Sequence, residues 1–241
     1  GQSARTREGN MSEVLLINPP MWSPRAHTSF TGLCPPLGLG YIVSYLRQHG
    51  IDANLVDCTF MNQREAVEKV KKLKPTIVGV YSMFSMKQPA LEMARQLEGS
   101  CELRVAGGPL PTLCPEEFLE DFDVVAVGEG EKTMLELVET VRDGRSLSAV
   151  KGIVYRDKQG NPEPAVMHTP SRELIGDLDK LPFPARDQLD HHEYKRHYQK
   201  SGYSITSIIT SRGCPFNCDF CSRAVFGNKF RTRSAKNIVD E

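Results

Sequence analysis

Three of the seven cysteines fall within eight positions, in Cys214-Pro215-Phe216-Asn217-Cys218-Asp219-Phe220-Cys221. The spacing C-x3-C-x2-C lets three thiolates wrap one face of an iron–sulfur cluster and leaves one iron without a protein ligand. Clusters with four cysteine ligands chiefly move electrons. An open iron can also chelate a substrate or cofactor. The competing chemistry is a zinc knuckle, with His191, His192 or His197 as fourth ligand, although zinc sites more often use paired C-x2-C halves. Cys34, Cys58, Cys101 and Cys114 are scattered and the total is odd, so no disulfide framework is expected. With no signal peptide expected, clustered thiols point to a reducing compartment and a cytoplasmic protein.

These groups need a scaffold, and the 241 residues are enough for one to two domains with a core. Hydrophobic residues make up 39% and charged residues 25%, and no apolar run approaches the length of a membrane span, which excludes disordered and membrane-spanning classes. Thirty basic residues balance thirty acidic ones, so no nucleic-acid footprint covers the whole chain. Residues 1–10 are polar and read as an expression remnant or a disordered terminus. From there, short apolar runs alternate with helical periodicity. Strands are expected at Val14–Ile17, Ala53–Val56, Ile77–Val80, Leu103–Ala106 and Val124–Val127. Between and after them come helices marked by Leu39, Val43 and Leu46, by Ala66 and Val70, by Leu91, Ala94 and Leu97, by a short turn near Glu116–Leu119, and by Met134, Leu137 and Val138. Five such units predict an α/β fold, a doubly wound five-stranded parallel sheet in order 2-1-3-4-5, over residues 11–148. Residues 149–202 read as a β-hairpin, Gly152–Arg156 with Ala165–His168 around Gln159-Gly160-Asn161, and a proline-stiffened connector through Leu181-Pro182-Phe183-Pro184. Residues 203–241 begin a second unit, with a strand at Ser204–Thr210 and a helix from Ser234.

In an open parallel sheet, ligands bind beyond the carboxyl ends of the strands. The loops there hold Asn18 to Trp22, Tyr81 to Ser85, Gly107 to Thr112 and Gly128 to Thr133. Adjacent glycines let a bulky ligand approach the backbone, and serine hydroxyls offer hydrogen bonds. Glycines after strands also serve as turn or helix-start residues, so each remains open to that simpler role. No G-x-G-x-x-G follows the first strand, which disfavours a nicotinamide or flavin site. Met83 and Met86 read as gap-filling apolar residues, and Trp22 as ligand cover or packing. Near the cysteines, Arg212, Arg223, Lys229, Arg231, Arg233 and Lys236 make a basic stretch, read as a solvated face or a carboxylate-facing pocket rather than a nucleic-acid site.

The run Ser211-Arg212-Gly213-Cys214-Pro215-Phe216-Asn217-Cys218-Asp219-Phe220-Cys221 resembles the opening of the barrel in the radical S-adenosylmethionine (SAM) superfamily. Together with the strand-end loops, Pro35-Pro36-Leu37-Gly38-Leu39-Gly40 and the Leu181–Asp187 connector, the chain resembles radical SAM enzymes that carry a preceding cobalamin-binding domain. The resemblance covers nearly everything from Val14 to Glu241. It implies a flavodoxin-like sheet followed by the truncated start of a (β/α) barrel. It implies that Cys214, Cys218 and Cys221 bind a 4Fe-4S cluster whose fourth iron takes SAM, with Phe220 against the adenine. Cobalamin would be held by Ser82, Ser85, Gly107, Gly108, Gly128, Glu129 and Gly130, with Glu131 closing that loop, and Trp22 would cover its lower face. The implied chemistry is reductive cleavage of SAM to a 5′-deoxyadenosyl radical, with methyl transfer or ring closure at an unactivated carbon of a small-molecule substrate. An electron donor such as flavodoxin or ferredoxin would be the partner. One departure stands out: many cobalamin domains carry D-x-H-x-x-G after the first strand, whereas Asn18 to Arg25 contains no histidine and His27 is the nearest. Two alternatives remain open, a cobalamin carrier with an inert barrel remnant and a zinc-binding regulatory α/β protein. Taken alone, the chain is expected to be catalytically silent, with the segment from Tyr203 onward mobile or packed on a neighbouring chain.

Overall fold

The computed structural model describes residues 12–20, 34–157, 164–199 and 206–241. Its main sheet contains β1 (Val14–Asn18), β2 (Ala53–Asp57), β3 (Ile77–Tyr81), β4 (Leu103–Gly107), β5 (Val124–Ala126), β6 (Ile153–Asp157) and β7 (Ala165–His168). They lie in the order β2-β1-β3-β4-β5-β6-β7. The first five strands are parallel, and β6 and β7 join antiparallel beside β5. A five-stranded sheet with a separate hairpin was expected; the hairpin instead extends the sheet to seven strands. The reason is the edge of β5: a three-residue strand leaves unpaired backbone groups, and β6 pairs with all three residues, Val124 with Tyr155 through Ala126 with Ile153. The turn at Gln159-Gly160-Asn161 lies outside the described residues.

Strand periodicity sends alternate side chains to opposite faces. Val14 and Leu16 of β1 enter one apolar cluster, with Val43 and Leu46 of α1 (Leu37–Gln48) and Leu137 and Val138 of α5 (Gly130–Arg142). Leu15 and Ile17 enter the other, with Ala66 and Val70 of α2 (Gln63–Leu73) and Ala90 and Ala94 of α3 (Lys87–Gln96). Both faces are covered, so β1 is buried at every position. The short helix expected near Glu116–Leu119 is a 3-10 turn over Pro115–Phe118, and a separate α4 (Pro109–Leu113) precedes it; Pro115 withholds an N–H where the two would join.

The connector is stitched to the sheet domain. Ala185 N–H donates to Gly40 O at 3.0 Å, and a Cβ on Gly40 would lie 3.1 Å from Pro184 Cβ, so only glycine permits the approach without displacement. Beyond it, α6 (His191–Gln199) places the Tyr194 hydroxyl 2.6 Å from Asp57 Oδ2 and 3.1 Å from Thr59 Oγ1 at the end of β2. The expected strand at Ser204–Thr210 does not form: residues 206–210 are irregular, and 200–205 lie outside the described residues. A two-stranded ladder forms instead between β8 (Ser211–Arg212) and β9 (Arg231–Thr232). It leads into α7 (Ala235–Asp240), whose N-cap Ser234 accepts from Asn237 N–H at 3.1 Å.

Nor is this segment detached from the chain's own sheet. Arg212, Arg231 and Arg233 are 4%, 4% and 6% exposed, which removes them from the solvated face. Arg233 Nη1 donates to Tyr41 Oη at 3.0 Å, Ile209 O at 2.9 Å and Glu241 Oε2 at 2.5 Å, and Arg186 pairs with the same glutamate. Among the described residues, no helix is long and apolar enough to cross a membrane.

Candidate functional site

A cavity of about 490 Å³ opens at the carboxyl ends of the parallel strands, beneath the segment that carries the cysteines. Its floor is Leu16 and Asn18 of β1, Gly79 to Tyr81 of β3, Val105 and Gly107 of β4, and Ala126 of β5. One wall is Cys34 to Leu39 with Ile42, and Met134 of α5 packs with Leu37 and Leu39 on that side; Met83 and Met86 join from the loop after β3; Ile209, Arg212, Val225 and Phe226 form the roof. The lining is largely apolar with a few polar groups, as expected of a small-molecule site. Burial pushes the Tyr81 phenol above its ordinary pKa, so it is a neutral group on the floor.

The residues chosen from sequence divide sharply here. Gly107 fronts open space: a Cβ there would meet nothing closer than Ala126 Cβ at 4.0 Å. Gly128, Glu129 and Gly130 also line the cavity. Gly108 lines it too, but the glycine is required by its own backbone. Its φ is +110°, and a Cβ would sit 2.7 Å from Ser82 O and 2.8 Å from the Tyr81 ring. A bulky residue at Gly108 would therefore disturb the β3–β4 ends as well as crowd a ligand. Ser82 is fully buried, and its hydroxyl donates to Met83 O at 3.3 Å while its N–H donates to Gly107 O at 2.8 Å. It braces the loop, and neither Ser82 nor Ser85 is in the cavity lining; Met83 and Met86, read as filler, are. Their place in the loop directly after β3, at the carboxyl edge of the sheet, is the signal in the sequence. Trp22 and His27 lie outside the described residues.

Glu129 has a role that sequence reading missed. It is the N-cap residue of α5, and it is 6% exposed. Its carboxylate accepts from Arg231 Nη1 at 2.8 and 3.1 Å, from Arg212 Nη1 at 3.2 Å and from Ile175 N–H at 2.7 Å. Glu131 accepts from Arg212 Nη2 at 2.5 Å. Two buried carboxylates at a helix start are thus matched by two buried guanidiniums. Burial works against the Arg212 charge, and Glu131 and Glu129 outweigh it, holding its proton more tightly than usual. The partners lie 83 and 102 residues away, beyond any local motif.

The three cysteines share one loop between β8 and β9. Cys221 N–H donates to Cys218 O at 3.1 Å, closing a tight turn, and Cys214 N–H donates to Gly227 O at 3.3 Å. Cys218 and Cys221 are exposed and Cys214 half-buried. Among the described residues no three metal-ligating side chains are gathered at one point, so the thiols are brought to one loop and not to one centre. Phe220 is 93% exposed.

The family model of the B12 binding domain matches residues 26–138. Along 95% of its length the chain is 34% identical to an uncharacterized methyltransferase of Pyrococcus horikoshii, of which it covers 49%. It is 31% identical to the anaerobic magnesium-protoporphyrin IX monomethyl ester cyclase of Rubrivivax gelatinosus, covering 95% of this chain and 41% of that one. The chain thus spans about half the length of the curated relatives it matches. Among solved structures, the cobalamin-dependent SAM radical enzyme OxsB, with aqua-cobalamin and SAM bound, aligns with a TM-score of 0.77 at 23% identity, over 95% of this chain and 31% of that one. The radical SAM methyltransferase TsrM from Kitasatospora setae, with cobalamin and a 4Fe-4S cluster bound, aligns at 0.70 and 20% identity, over 96% of this chain and 45% of that one. These two likenesses describe the fold, and the sequence matches carry the kinship: residues 26–138 match the B12 binding domain, and the chain is related along most of its length to a methyltransferase and a cyclase.

Proposed function

We propose that this chain is the cofactor-binding half of a cobalamin-dependent radical SAM methyltransferase or cyclase. The observation that carries the reading is the position of the cavity: it lies at the carboxyl edge of a parallel sheet and is roofed by the segment bearing Cys214, Cys218 and Cys221. Gly107 supplies the cradle, since its missing side chain leaves open space on the floor. The apolar walls of Met83, Met86, Ile42 and Phe226 suit the body of cobalamin, and Asn18 and Tyr81 are the polar groups that would orient it. Three thiols on one exposed loop are a suitable donor set for three irons of a 4Fe-4S cluster, leaving the fourth to SAM. When bound, the cluster supplies an electron for cleaving SAM, and cobalamin is a methyl carrier. The chain's own residues bind, orient and shield: Glu129 and Glu131 hold the roof through Arg212 and Arg231, and the roof covers the floor from water.

Residues 11–148 would form the cobalamin-binding domain, 149–202 the hairpin and connector, and 203–241 the start of the SAM-binding unit. The enzyme would act in the cytoplasm on a small molecule, fed by a flavodoxin- or ferredoxin-type donor. The test is anaerobic reconstitution of the protein with iron and sulfide, followed by metal analysis and by absorption and paramagnetic-resonance spectra with and without hydroxocobalamin and SAM. The reading expects iron and sulfide near four per chain, bound cobalamin, and a change in the cluster spectrum on adding SAM. Zinc alone at the cysteines would remove the cluster, and absence of cobalamin binding would remove the cavity assignment.

A further inference from the structure

Arg212 touches both parts of this site. Its guanidinium is in the cavity roof, between Glu129 and Glu131 on one side and the rings of Tyr41 and Phe226, whose centroids are 5.4 and 5.3 Å from Cζ. Its backbone is the last strand residue before the cysteine loop, two positions ahead of Cys214. The link between them is stiff. Gly213 has φ +81°, and a Cβ there would lie 2.2 Å from Lys229 O, so the main chain passes directly against the returning side of the loop. That returning side ends at Arg231, paired with Arg212 in the ladder and bound through Nη1 to the same Glu129 carboxylate. Both feet of the loop therefore stand on one glutamate. The difference between them is that Arg212 faces the cavity, whereas Arg231, which donates to Ile175 O at 2.7 Å and Phe226 O at 3.0 Å, does not line it.

We propose that Arg212 is a positioning residue that couples occupancy of the cavity to the order of the cysteine loop. The proposal rests on cobalamin as the occupant of the cavity. A ligand packed against the roof restricts the Arg212 side chain; through Gly213 and the β8–β9 ladder that restriction reaches Cys214 and the turn at Cys218–Cys221. Arg231 anchors the same ladder without contacting the ligand, and so serves as the internal control. An anchor changes the mobility of the loop in both states equally, while a coupling residue changes the ratio between them.

The experiment is amide hydrogen exchange over residues 213–227 of the full chain, with and without hydroxocobalamin, alongside an absorbance titration that measures cobalamin binding separately. In the wild type, cobalamin is expected to slow exchange in this segment by at least about threefold. Arg231→Lys should exchange faster in both states and keep that ratio. Arg212→Lys should still bind cobalamin but lose the slowing. Glu131→Gln, which keeps the side-chain volume and removes one of the two carboxylate charges, should show a reduced ratio and provides the readout if Arg212→Lys does not fold. If Arg212→Lys or, failing it, Glu131→Gln binds cobalamin and retains the full slowing, the coupling is wrong while the cavity assignment stands. If the wild type binds no cobalamin, the cavity assignment fails first and the coupling falls with it.

Discussion

Every residue of β1 on the cavity floor is buried, and the strand pairs on both sides, with β2 and β3. Between Gly213 and Lys229 most residues are exposed, Phe216 and Phe220 by 70% and 93%. The floor is shaped by burial spread over many residues, none of them decisive. The loop is shaped by two charged anchors at its feet. Damage to the floor should therefore be graded with the size of the side chain involved, whereas damage to an anchor should release the whole loop at once.

The largest effect follows from Glu129→Ala, which leaves Arg212 and Arg231 with one carboxylate between them and Ile175 N–H without its acceptor. Breaking a buried pair by removing one partner costs about 3–5 kcal/mol. Urea denaturation should show this loss, and limited proteolysis should cut first within 206–241. Cleavage starting inside the sheet instead would mean that the roof does not depend on its anchors.

Next comes the clamp at the end of β2. Tyr194→Phe removes a hydrogen bond to the Asp57 carboxylate and should cost about 1.5–3 kcal/mol at neutral pH. Burial, then the neighbouring Asp57, pushes the Tyr194 phenol far above its ordinary value of 10.0. The folded state thus keeps the proton that the unfolded chain gives up, so stability is intact below about pH 10 and declines as pH rises beyond it. A denaturation series from pH 8 to 11 should show a shallower alkaline decline in the phenylalanine variant; identical slopes would place the titration elsewhere.

Two adjacent glycines separate scaffold from site within the floor itself. Gly108→Ala forces a Cβ onto Ser82 O at positive φ and should cost about 1–3 kcal/mol. Gly107→Ala meets only open space and should leave stability within about 1 kcal/mol, on either side of zero, while weakening cobalamin binding. Melting curves and hydroxocobalamin titrations of both variants decide this, and equal affinities for wild type and Gly107→Ala would take Gly107 out of the cradle. The smallest folding effect belongs to Phe220→Ser in the exposed loop, within about 0.5 kcal/mol. In the whole enzyme the same change should raise the KM for SAM by roughly tenfold if the ring stacks on adenine; an unchanged KM would assign Phe220 no ligand.

The same contrast explains what could be read in advance. The parallel strands were legible because they are buried on both faces and so appear as continuous apolar runs, such as Val14 to Ile17. The helices were legible from the spacing of Val43, Leu46, Leu137 and Val138 against the sheet. Attachment of the hairpin to β5 was not, since nothing in Ile153–Asp157 says which edge it will join. The cysteines were legible as a group, but the anchoring of their loop was hidden. Glu129 and Glu131 are indistinguishable in sequence from acidic residues at any helix start until Arg212 and Arg231 return from far along the chain to meet them.

The stitch between Gly40 and the connector has a consequence for how the protein melts. A loose tether would keep the roof near the floor only through effective concentration, and the two would open independently. Here the connector backbone is bonded to α1 at Gly40 O, and α1 is itself part of the sheet's core. The cost of ordering the connector is met in the folding of the sheet, so docking the roof requires little further loss of entropy. Floor, connector and roof then form one cooperative unit, and calorimetry should record a single transition whose van't Hoff and calorimetric enthalpies agree.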